Sequence, residues 1–88
     1  MKQKEKAEKF AKKILGFSMK KLPFEWRKIM SIYFQRNYSL FFTTHDIADF
    51  TNVSTSTTYR LNRDFDVLMK QPWFSERYNL LDQFMKSE

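Results

Sequence analysis

The sequence predicts an all-α fold: a trihelical core over residues 23–70, with one further helix added at each end. Three observations predict it. Apolar residues recur at helical spacing along most of the chain. Residues that cap helices stand where those stripes begin. The chain has one glycine, and no Gly-containing hairpin follows the core's last helix, so little supports a β-wing there. At 88 residues the chain is read as one domain, 1–88.

Lys2 to Leu15 reads as a basic amphipathic helix. Ala7, Phe10, Ala11 and Ile14 form its apolar stripe and lysines fill the rest. Gly16 is its natural C-terminal cap. The connector FSMKKL completes an N-terminal segment of residues 1–22. Pro23 suits the first turn of the next helix, with Glu25 near its positive end. Trp26, Ile29, Met30 and Tyr33 form the stripe of that helix, and Asn37 is a plausible stop. Tyr38–Phe42 is an apolar run too short for a helix, either extended or packed beneath the helix that follows.

Thr43 reads as an N-cap, and Asp46 completes a capping-box-like pair. That helix carries Ile47, Ala48 and Phe50. Asn52 stands where the chain must turn sharply and, after Gly, best tolerates a positive φ. Ser54 is a second N-cap. The helix it opens buries Leu61, Phe65, Leu68 and Met69 and ends at Gln71-Pro72. A last helix, within 73–86, aligns Phe74, Tyr78, Leu81 and Met85, with Leu80 and Phe84 beside them. Those two exceed what one packed face requires, so the C-terminal helix is a possible homodimer surface.

Composition narrows the function. There is no cysteine and a single histidine, His45, so a metal site, a disulfide and a Ser-His-Asp arrangement all lack material. Asp46 is used in capping, and Asp49, Asp64 and Asp66 read as a solvated face, so no catalytic carboxylate pair is assigned. The expectation is a non-enzyme without cofactor. No run approaches a membrane span and the N-terminus lacks the apolar region of a secretory signal; a cysteine-free chain suits a reducing cytoplasm. The net charge of +6 is uneven. Residues 1–28 carry ten Lys/Arg against three Glu, or +7, and residues 29–88 carry six against seven acids, or −1. The basic end attracts polyanions or simply keeps the chain soluble. Trp73 and Phe74 could stack on bases, although core or interface is the commoner use of such a pair.

Residues 43–69 then read as a helix-turn-helix. Ala48 is the small residue where the second helix crosses the first. Asn52 makes the turn, Val53 plugs the core and the hydroxyl run Ser54–Thr58 begins the second helix. Leu61 takes the buried position seven residues after Ser54. In such a unit the second helix lies in the major groove of double-stranded DNA.

The stretch DIADFTNVSTSTTYR resembles the lac-repressor-type headpiece and is similar to the TetR-type DNA-binding domain. For the latter the likeness reaches upstream to Ile29, Ile32, Tyr33 and Asn37-Tyr38. STSTTYRL is similar to the reading helix of Mga-type regulators of Gram-positive bacteria. Asn52 replaces the usual glycine. Thr58 replaces an apolar residue and is expected to bond back to the carbonyl four residues earlier. By this resemblance Thr55, Ser56 and Arg60 face base edges. Thr43, Ser54, Thr57 and Tyr59 contact phosphates, and Arg63 reaches either. The resemblance covers about half of the chain, and the expectation is a DNA-binding unit with no ligand-binding domain after it and no small-molecule effector. The implied role is a small transcriptional regulator of a bacterium, phage or mobile element. The alternatives are a DNA-organising accessory in replication, recombination or packaging, and an interaction module for protein or an anionic membrane.

Overall fold

A computed structural model describes residues 2–87. They are all-helical, with no strand among them. The α-helices are α1 (Lys2–Phe10), α2 (Phe24–Asn37), α3 (Thr44–Thr51), α4 (Thr55–Arg63), α5 (Phe65–Leu68) and α6 (Pro72–Lys86).

The centre is α2. Six consecutive residues, Ile29 to Phe34, are buried, more than the one predicted stripe could supply. A helix apolar all round must be covered on all sides, and α3, α4 and α6 all pack on α2. Aromatic rings fill the joints. Phe34 meets Tyr38, Phe42 and Phe50 at centroid distances of 5.0, 5.7 and 5.3 Å. Tyr33 meets Tyr78 at 5.2 Å, and Phe65 meets Tyr78 at 5.1 Å. The few polar groups inside are paired. Thr51 donates to the Ile47 carbonyl at 2.7 Å, and Ser31 donates to that of Lys28 at 3.1 Å. The Tyr33 hydroxyl donates to Asp82 Oδ1 at 2.7 Å; burial first, and this bond second, push its pKa up.

The predicted stripe of α6 is buried as expected: Phe74, Tyr78, Leu81 and Met85. Pro72 opens this helix as well as ending what precedes it, since a first-turn proline gives up no hydrogen bond. Phe84 is not spare surface. It packs on Phe10 of α1 at 5.2 Å, while Leu80 remains exposed. Phe10 also meets Trp26 at 5.5 Å, and with buried Ala7 it binds α1 into the core.

Several expectations are corrected. The first helix does not run as α to Leu15. Residues Ala11–Leu15 form a π turn closed by Gly16 at φ 80. The wider turn rotates Ile14 off the apolar stripe, leaving it 50% exposed. Within the connector, Met19–Lys21 form a 3₁₀ turn. Pro23 is the N-cap of α2 and not its first residue. Tyr38–Phe42 is not extended: the Phe41 and Phe42 N–H groups both return to the Tyr38 carbonyl, burying Phe42 and exposing Leu40 and Phe41. The helix opened by Ser54 breaks at Asp64, where ψ reaches 11, and resumes as α5. Leu61, Phe65, Leu68 and Met69 are half-buried, because this pair of helices covers the core from one side.

A candidate nucleic-acid interface

The segment from α3 to α4 is built by local hydrogen bonds that the sequence specifies. Thr43 and Asp46 form the full capping box: the Asp46 N–H donates to Thr43 Oγ1 and the Thr43 N–H donates to Asp46 Oδ2, both at 3.1 Å. The Thr43 N–H first, and the Thr43 hydroxyl second, hold the Asp46 carboxyl below the usual carboxylate range. Asn52 closes α3 in the left-handed region at φ 54, ψ 44. The Val53 N–H then donates to the Ala48 carbonyl at 3.3 Å, and the Val53 side chain is buried. Ser54 caps α4 by accepting from the Thr57 N–H at 3.2 Å. Thr58, fully buried, donates to the Ser54 carbonyl at 3.1 Å, which is the expected back-bond. Its hydroxyl also meets that of Ser31 at 3.4 Å, seating α4 on α2.

With Thr58 turned inward, the opposite face of α4 is Ser56, Tyr59, Arg60 and Arg63, at the i, i+3, i+4, i+7 spacing of one helical stripe. All four are exposed. Thr55 and Thr57 lie half-buried on its flanks. Of the residues assigned to base edges, Ser56 and Arg60 share the outward stripe and Thr55 borders it. Of those assigned to phosphate, Tyr59 is 58% exposed and stands at one edge of the stripe, on the side that Thr55 borders. Ser54 and Thr57 hydrogen-bond to one another at 2.9 Å at the helix start. Thr43 is exposed at the start of α3, its hydroxyl engaged in the capping box. Arg60 Nη2 donates to Thr57 Oγ1 at 3.2 Å, which keeps the guanidinium along the helix. Arg63 forks onto Asp64, with bonds of 3.0 and 3.1 Å.

Two arginines of α2 that sequence reasoning missed fix the unit from below. Arg27 donates to the Asn52 carbonyl at 2.7 Å and to that of Leu22 at 3.0 Å, pinning the turn between α3 and α4. Arg36 donates to Asn62 Oδ1 at 2.9 Å and lies 3.9 Å above the Phe65 ring, pinning the far end of α4. Partners 25 and 26 residues away leave no local signal in the sequence. His45 is exposed, and among the described residues no three His, Asp or Glu side chains converge as a metal site would require. No helix among the described residues is long and apolar enough to cross a membrane. No family model matches the chain, and neither a curated protein nor a solved structure matches it.

Proposed function

We propose that this chain binds double-stranded DNA sequence-specifically, with α3, the Asn52 turn and α4 acting as a helix-turn-helix and α4 as the reading helix. One observation carries the proposal: α4 is fixed at both ends yet buries a single side chain, leaving a continuous stripe of Ser56, Tyr59, Arg60 and Arg63 to solvent. Its chemistry suits the major groove. Arginine pairs bidentately with guanine O6 and N7, and hydroxyls serve bases or phosphates. The role is that of a small cytoplasmic transcriptional regulator, and a DNA-organising accessory would use the same contacts. Selection from random duplexes, followed by a mobility shift on the enriched sequence, tests it. Equal affinity for enriched and random duplexes would refute specific reading.

One helix-turn-helix reads few base pairs, so pairing of two copies on half-sites about one DNA turn apart belongs to the proposal. The surface left for pairing is narrower than sequence suggested: Leu80 and Trp73, 44% and 37% exposed, without Phe84. A second reading, an interaction module for protein or an anionic surface, is favoured by one observation. Leu40 and Phe41 stand 94% and 59% exposed at the tip between α2 and α3. A chain that shifts no duplex would turn attention to that tip.

A further inference from the structure

We infer that a groove beside the reading helix holds one phosphate of the DNA backbone, with Lys28 as its fixed cation and Asp64 filling the place of that phosphate on Arg63 until DNA arrives. The inference rests on the DNA reading above and adds residues that reading does not contain.

The groove runs between the start of α2 and the second half of α4. Phe24, Lys28, Thr57, Arg60, Arg63 and Asp64 line it. Three cations therefore face one carboxylate. Among the described residues the ion pairs are Arg63–Asp64 and Lys86–Asp82, so Lys28 and Arg60 have no carboxylate partner. Lys28 is nevertheless held in place. Its ammonium lies 5.0 Å from the Phe24 centroid and 5.4 Å from that of Trp73. Ring faces attract and orient a cation without neutralising its charge. This gives the exposed Phe24 ring a use that core packing does not.

Asp64 stands at the start of α5, yet its side chain caps nothing there. Its carboxylate is spent on the Arg63 fork, which holds it below the usual carboxylate range. A guanidinium presents the same fork to carboxylate and to phosphate. A backbone phosphate can thus exchange with Asp64 on Arg63 while Lys28 supplies the second contact. The groove borders Arg60, so an occupant there lies next to the bases that Arg60 would read. Phosphates flank a reading helix at that place and set its register.

The test uses the full chain on its selected duplex and on a random duplex, with binding followed across salt concentrations and folding followed by thermal melts. Lys28→Gln is expected to weaken both duplexes by the same factor and lower the slope of log K against log salt by about 0.9, the loss of one phosphate contact. Lys28→Arg should keep the parent slope, which separates charge from folding. Asp64→Asn should tighten both duplexes by the same factor at an unchanged melting temperature and keep the parent slope, since it removes a competitor for Arg63 and adds no phosphate contact. A parent whose salt slope is unmoved by Lys28→Gln and whose affinity is unmoved by Asp64→Asn overturns the phosphate site and leaves the DNA reading standing. A parent that binds no duplex overturns both.

Discussion

Helices α2 and α4 pack on one another and are stabilised in opposite ways. The first buries six residues in a row, and the second buries Thr58 alone. What α4 lacks in buried face it recovers at its ends. Ser54 caps it, Arg27 holds the turn before it and Arg36 holds Asn62 near its close. A helix of nine residues is marginal by itself in water, so these end contacts add to the seat that buried Thr58 and half-buried Leu61 give it on α2. A helix anchored at its ends keeps its outward face free for a ligand, which a helix anchored through a buried stripe does only in part.

The contrast can be broken most forcefully in α2. Phe34→Ala removes a fully buried ring from between Tyr38, Phe42 and Phe50 and should cost about 3–5 kcal/mol. Urea unfolding would show it as a lowered midpoint with α3 and α4 lost together. Arg27→Ala should cost less, about 1–2 kcal/mol, because its bonds to the Asn52 and Leu22 carbonyls are partly solvated. Hydrogen exchange at Val53 and Thr57 should quicken more than exchange at Ile32; uniform quickening would mean that Arg27 serves the whole core and not the turn. Ser54→Ala should cost about 1 kcal/mol, the usual value of an N-cap. Its signature is fraying confined to the first turn of α4.

Helices α3 and α2 should also lose stability at opposite ends of the pH scale. Asp46 has a depressed folded pKa, so its contribution to α3 is complete above the ordinary carboxylate range and is lost as pH falls through the folded value. Tyr33 has a raised folded pKa, caused first by burial, so its contribution is complete below about pH 10 and is lost as pH rises from there. Asp46→Asn should flatten the acid limb of a stability–pH curve and leave the alkaline limb unchanged. Tyr33→Phe should flatten the alkaline limb alone.

Where structure depends on bonds within a few residues, the sequence was informative. Thr43 with Asp46, Asn52 with Val53, Ser54 with Thr57, and the Thr58 back-bond all lie within one or two turns, and each forms as its residue types require. The stripe of α6 was legible because helical period alone decides it. The misses are tertiary. Nothing local distinguishes the π turn that exposes Ile14 from a continuing α-helix that would bury it. The break at Asp64 carries no proline or glycine to announce it. Lys28, Arg27 and Arg36 were passed over because Trp73, the Asn52 carbonyl and Asn62, which give them their roles, lie far from them in sequence. Phe84 looked spare because α1, which covers it, lies at the other end of the chain.

If the exposed face of α4 reads base edges, as proposed, Arg60 is the residue whose loss reports it. Binding of the parent and of Arg60→Ala would be measured side by side on the selected duplex and on random duplexes at one salt concentration. A base-reading Arg60 entails a loss of about 1–3 kcal/mol on the selected duplex, little change on random DNA and relaxed preference at one base position. Equal losses on both would contradict it, since an arginine that touches only phosphate weakens every sequence alike.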